Sequence, residues 1–287
     1  MLIQPYELQE LKFAWCYRVF YGWRTHRVDT RPALAKLDQA ALQNLLQPYH
    51  IHVLEATASA KDVKTLVSLL PDETVAACAG KTKGRASKWL REQLGLVEPE
   101  KLFSRGYFAV TAGQTTAEAV AGYLQQQGEH HGYASGARPP VFVEHYPVTA
   151  ADQQRLSAQH AVTLLRFHVV LCTWRRQGVF GQAAGEATAN RWRQLQAELG
   201  VALEKVSFVP DHVHLAVRTH PTVSPAKMTL ALINAAQELL WRDFDQSVIR
   251  AGVERLWQPS AYIGSYGDLE SAKIASYVRQ WEDQPEP

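Results

Sequence analysis

A chain of 287 residues, 46% hydrophobic and 20% charged, has the makeup of a folded globular protein and the length of two ordinary domains. A formal charge of +2 is too small to prove a nucleic-acid partner, and three cysteines without C-x-x-C spacing argue against structural zinc and for a reduced, cytoplasmic setting. No apolar stretch is long enough for a membrane span, and Met1 to Glu7 lacks the pattern of a signal peptide.

Residues 13–23 are rich in aromatic and β-branched side chains and predict a strand. Apolar spacing predicts a helix over 33–46, then strands over 51–56 and 63–69. Residues 74–94 predict a helix interrupted near Gly80 to Gly84. An extended segment over 102–111 leads to a helix over 116–127 that carries Tyr123. Residues 132–149 are rich in Gly, Pro and Ala and predict a linker. The order then repeats: strand 164–173, helix 183–199, a hairpin of 206–209 and 212–217, helix 226–244, an extended piece 262–265 and a last helix 269–281. This pattern predicts an α+β fold, with helices packed on antiparallel sheets.

The recurrence extends to individual residues. Trp23-Arg24 returns as Trp174-Arg175, a shift of 151. Val67 and Pro71 return as Val217 and Pro221, a shift of 150, while Gly113 and Tyr123 return as Gly267 and Tyr277, a shift of 154. So steady an offset means two copies of one domain, expected at 1–132 and 162–287 with a linker at 133–161 and a pseudo-twofold axis between them.

The hairpin carries the most suggestive chemistry. In Pro210-Asp211-His212-Val213-His214-Leu215-Ala216-Val217, the valines and Leu215 share one strand face, and His212 and His214 share the other. Pro210-Asp211 supplies a tight turn into the strand. Two neutral imidazoles pointing the same way suit one divalent ion, although ordinary surface strands also produce such pairs. His50 and His52 form another pair, but too early in the repeat, and read as two histidines on a preceding strand. Basic residues cluster at Lys81, Lys83, Arg85, Lys88 and Arg91, and around Arg24, Arg27, Arg175 and Arg176. Each cluster suits either a solvated face or a DNA-binding surface.

The second half, with Phe167-His168-Val169-Val170, Trp174-Arg175-Arg176, Val179-Phe180 and Pro210 to Leu215, resembles the single-tyrosine HUH transposases, which include insertion-sequence and repeat-associated tyrosine transposases. In the first half, Leu102 to Gly113 followed by Tyr123 to Gln127 resembles that family's nucleophile helix and its approach. The resemblance implies tandem ferredoxin-like HUH domains and an enzyme that cleaves and rejoins single-stranded DNA through a 5′-phosphotyrosine link. It further implies a Mg²⁺ or Mn²⁺ ion held by two histidines and a glutamine one turn past the tyrosine. A DNA hairpin is the implied partner.

The two copies depart from the family pattern in complementary ways. Asp62 and Lys64 stand where the first copy should have histidines, and a lysine there would repel the ion. The second copy keeps Tyr277 but has Trp281 where the first has Gln127, and Ile233-Asn234 where the first has Lys83-Gly84. The reading is therefore a monomer acting as a pseudo-dimer with one composite site. His212 and His214 come from the second domain, and the nucleophile Tyr123 and the ligand Gln127 from the first, with Tyr277 as a second or vestigial nucleophile. Lys81, Lys83, Arg85, Lys88, Arg175 and Arg176 are the expected DNA contacts, and His130 and His131 suit a polar helix end or phosphate contacts. Two other functions compete: a domesticated protein, weak or inactive in catalysis, that binds a DNA hairpin, and a metal-binding structural module.

Overall fold

Two β-sheets with helices packed on them form the protein, for which a computed structural model describes residues 4–25, 31–59, 61–96, 101–113 and 140–267. The first half holds β1 (Lys12–Cys16), β2 (Arg18–Arg24), α1 (Arg31–Leu34), α2 (Gln39–Leu46), β3 (His52–Ala58), β4 (Asp62–Ser68), α3 (Val75–Leu94) and β5 (Tyr107–Ala112). The second half holds β6 (Phe142–His145), α4 (Ala150–Leu156), β7 (Ala161–Leu164), β8 (Arg166–Thr173), α5 (Gln182–Leu199), β9 (Val201–Val209), β10 (His212–Thr219), α6 (Pro225–Asp243), α7 (Asp245–Arg250) and β11 (Trp257–Ser265).

The two halves share one topology, although pairing of Trp23 with Val63 and of Leu171 with Val213 sets Trp23 against Leu171 in the repeat, a shift of 148 on this strand, and not against Trp174 as the sequence suggests. Strands run β3-β4-β2-β5 in the first sheet and β9-β10-β8-β11 in the second, antiparallel throughout. With α2 and α3, or α5 and α6, as the crossovers, each half is a βαββαβ unit with the strand order of a ferredoxin-like fold. Side-chain oxygens of Asp38, Thr74 and Ser224 accept from the backbone N–H groups of Ala41, Ala77 and Lys227, which fixes the starts of α2, α3 and α6. Gly95 and Gly200, both at φ 64°, end α3 and α5 in the left-handed conformation that glycine adopts without strain.

One expectation fails here. Helix α3 runs unbroken through Gly80 and Gly84. Each glycine costs roughly 1 kcal/mol relative to alanine. The buried stripe of Val75, Cys78, Ala79, Thr82, Ala86 and Leu90 holds the helix against its sheet regardless.

The sheets are joined by exchanged strands. The segment 13–23, expected as one strand, divides at Tyr17: β2 belongs to the first sheet, while β1 runs parallel to β11 in the second. The second half mirrors this, with β8 in its own sheet and β7 parallel to β5 in the first. Where these strands cross, Thr111 Oγ1 accepts from Arg166 N at 2.9 Å and donates to Tyr266 O at 2.8 Å. Its counterpart Ser265 Oγ accepts from Arg18 N at 2.9 Å and donates to Ala112 O at 2.6 Å. The helix starts are exchanged too: Ala76 N donates to Pro221 O at 2.9 Å, and Ala226 N to Pro71 O at 2.8 Å. Amides that a helix cannot satisfy by itself are thus capped by the other half. These paired bonds are what a pseudo-twofold axis through the crossing requires.

The stretch expected as the linker, 133–161, carries β6 and α4 where it is described, and β6 adds an edge strand to the second sheet beside β9. The core face of that sheet is built by Phe167, Val169, Leu171, Val213, Leu215 and Val217, all buried, with Trp192 and Trp257 among the largest side chains packed into it.

Candidate active site

Strand β10 has two faces with different tasks. Val213, Leu215 and Val217 enter the core, and period-2 alternation turns His212, His214, Ala216 and Arg218 to the opposite face. Register places His212 beside Cys172, His214 beside Val170 and Ala216 beside His168 of β8. His212 and His214 are nevertheless only 2% and 3% exposed, and their ring centroids lie 5.0 Å apart.

Each ring is held at Nδ1. His212 Nδ1 lies 2.6 Å from Asp211 Oδ1. A carboxylate can only accept, so this nitrogen carries the proton and donates. The other oxygen of Asp211 takes Arg176 Nε at 2.8 Å. Burial pushes the Asp211 carboxyl up, but the hydrogen bond from His212 and the nearby Arg176 guanidinium outweigh it, so the group sits below the usual carboxylate range. Thr173 pins the turn, since its N–H donates to Asp211 O at 2.9 Å and its hydroxyl lies within hydrogen-bond reach of both Gln177 O, at 2.6 Å, and Asp211 O, at 2.9 Å. Arg175 and Arg176 adopt φ of 51° and 58°, left-handed values that cost non-glycine residues energy. That backbone brings the Arg176 guanidinium to Asp211.

His214 is held differently. Its Nδ1 lies 3.0 Å from His168 Nε2, and the two ring planes are within 16° of each other. Burial lowers the His168 pKa to about 4, which keeps that ring neutral near pH 7. Tyr262, 41% exposed on β11, sits edge-on to His168 with centroids 6.1 Å apart.

This donor set fits a divalent ion. Two imidazoles share one face of a rigid strand, and Nδ1 partners of this kind orient ligating histidines. Among the described residues, no group of three or more His, Cys, Asp or Glu could hold a metal, so a further donor has to come from another kind of residue or from outside them. Gln127, Tyr123 and Tyr277 all lie outside the described residues.

The basic residues separate into distinct roles. Lys83 turns inward, and its ammonium donates to the carbonyls of Ser104, Arg105 and Gly106, the last two at 3.0 and 3.2 Å. Burial brings its pKa down to about 8. Lys81 pairs with Glu73 and lies 5.8 Å from the Tyr49 ring centre, while the Arg85 guanidinium lies 4.9 Å from the same ring. Lys88 forms an exposed pair with Glu92 at 3.9 Å. Arg175 and Arg176 are exposed next to the histidine strand. Of the six, those two stand beside the histidines.

In the first half, Lys64 Nζ lies 3.3 Å from Asp62 Oδ2, and Ser59 donates to the other carboxylate oxygen. His50 and His52 are exposed, at a turn and at the start of β3. Sequence reasoning assigned no role to His168 or to the Asp211 side chain. Both stand in the stretches that carry the family resemblance, 167–170 and 210–215, but strand periodicity reports a side chain's face and says nothing of its cross-strand neighbours.

Known proteins share this sequence pattern. The model of the IS200-like transposase family matches residues 18–127 and 161–281. The ISDra2 transposase TnpA of Deinococcus radiodurans is 25% identical over 121 residues, which are 42% of this chain and 86% of that protein. The transposase for insertion sequence element IS200 of Salmonella typhimurium is 29% identical over 123 residues, 41% of this chain and 74% of that one. A crystal structure from Deinococcus radiodurans R1, assigned as a transposase, covers 44% of this chain and 96% of its own at 21% identity, with a TM-score of 0.37.

Proposed function

The chain belongs to the IS200-like transposase family, matched in both of its halves, and from that premise we propose that it cleaves and rejoins single-stranded DNA at one composite, metal-dependent site. The observation that carries this reading is the buried pair His212 and His214, each held at Nδ1 so that the Nε2 edges can serve a common ion. Their repeat equivalents Asp62 and Lys64 form an ion pair instead, so this position in the first half offers no matching histidine pair. In this reading Gln127 completes the ligand set with its side-chain carbonyl. Mg²⁺ or Mn²⁺, when bound, withdraws charge from the non-bridging oxygens of the scissile phosphate.

The work of the chain's own residues follows. Tyr123 Oη attacks phosphorus, and the P–O3′ bond breaks. The 3′-oxygen leaves with a proton and the 5′-phosphate stays on the tyrosine. A phenol has a pKa of about 10, so a free tyrosine is a weak nucleophile at neutral pH and needs that phosphate activated. Rejoining is the reverse, a 3′-hydroxyl displacing the phenol, and the covalent link conserves the energy of the phosphodiester. Arg175 and Arg176 suit the DNA backbone beside the site, and a hairpin in single-stranded DNA is the proposed substrate.

Incubation of the full chain with a labelled hairpin oligonucleotide and Mn²⁺, followed by denaturing electrophoresis, tests this. A covalent adduct is expected, lost with EDTA and in His212→Ala and His214→Ala. DNA retention in a native gel without any adduct would favour the hairpin-binding alternative instead.

A further inference from the structure

We propose that His168 is a positioning residue for this site: it accepts the Nδ1 proton of His214 and so fixes the tautomer in which the lone pair of His214 lies on Nε2. This rests on the reading of His212 and His214 as metal ligands.

Four observations converge on it. First, the contact is a hydrogen bond by geometry, 3.0 Å between His168 Nε2 and His214 Nδ1, with ring planes within 16°. In-plane approach at that distance requires one nitrogen to carry the proton and the other to accept it. Second, Asp211 settles the matching choice for His212. Its carboxylate only accepts, so His212 is protonated at Nδ1 and its lone pair lies on Nε2. A pair of ligands that shares one ion from one strand face needs the same arrangement at His214, which makes His168 the acceptor. Third, His168 is not a core side chain. Its neighbours Phe167 and Val169 fill the core, while His168 stands on the histidine face across from Ala216. Fourth, the repeat supplies an internal comparison. The residue across from Leu66, in the place of Ala216, is Phe20. In the half where His214 is replaced by Lys64, the acceptor is gone too and a phenylalanine fills its place against Phe108. The packing position survives in both halves, and the nitrogen only in the half that keeps the histidines.

The test uses the full chain and two readouts. Side-chain ¹⁵N NMR of the metal-free protein reports which nitrogen of His214 is protonated, and Mn²⁺ titration reports affinity. Wild type is expected to show His214 protonated at Nδ1. His168→Phe, which copies the first half, should give mixed His214 tautomers and weaken Mn²⁺ by about tenfold to a hundredfold. His168→Gln, whose side-chain carbonyl reaches about as far as Nε2, should restore the tautomer and most of the affinity. A role in packing alone would favour Phe over Gln. Wild-type His214 protonated at Nε2, or a His168→Phe variant with tautomer and affinity unchanged, overturns the inference. Wild type that binds no Mn²⁺ overturns the metal reading alone, because the NMR readout needs no metal and still decides the role of His168.

Discussion

Strands β4 and β10 occupy the same place in the two halves and differ almost entirely on one face. Inward, Val63, Thr65 and Val67 match Val213, Leu215 and Val217, all buried. Outward, Asp62 and Lys64 replace His212 and His214, Lys61 stands for Asp211 and Phe20 for His168. Each strand still lies between the same two neighbours, β2 and β3 or β8 and β9. The fold is therefore specified by the inner face and the ladder, while the outer face is free to carry chemistry or to lose it. The first half has neutralised its vacated face with an ion pair, which a half-exposed strand tolerates at little cost.

The comparison can be broken most forcefully at the axis. A Cβ on Gly113 would lie 2.4 Å from Ser265 O, and one on Gly267 would lie 2.4 Å from Thr111 O. Gly113→Ala and Gly267→Ala should each cost more than about 3 kcal/mol in urea unfolding, since backbone must shift in either case. If one is tolerated and the other is not, the halves do not meet symmetrically. Next in size is metal binding. His212→Ala or His214→Ala should weaken Mn²⁺ by about a hundredfold, while Asp62→Ala and Lys64→Ala leave it unchanged. Calorimetry should find one site per chain, and two equivalent sites would contradict the asymmetry. Smallest is the hydroxyl exchange. Thr111→Val and Ser265→Ala each leave buried backbone groups without their partner and should cost about 1–3 kcal/mol. Clearly unequal losses would mean that one crossing carries the interface.

Much of this was legible in the sequence because the signals are local. Alternation and β-branched or aromatic runs identified the strands, apolar spacing the helices, and recurrence at a nearly constant shift the duplication and its axis. The His212 and His214 pair was visible as a period-2 pattern. What escaped was pairing between distant segments. Nothing in 13–23 says that the chain changes sheets at Tyr17, because β1 and β2 are both short aromatic and apolar runs whose different neighbours lie far away in the chain. Lys83 read as a DNA contact because its charge is visible and its three carbonyl acceptors, more than twenty residues on, are not. The helix break at Gly80 to Gly84 followed intrinsic propensity, which tertiary packing overrode. His168 and Asp211 acquire meaning only once the strand register brings them to His214 and His212.

The central claim is that the halves share one site, with histidines from the second and the nucleophile from the first. Covalent adduct formation on single-stranded DNA tests it in two variants side by side. Tyr→Phe keeps the ring and removes only the nucleophilic oxygen, so the comparison reads chemistry. Tyr123→Phe should abolish the adduct and Tyr277→Phe should retain most of it. Loss of the adduct in Tyr277→Phe, with Tyr123→Phe still active, would show that the second half works alone.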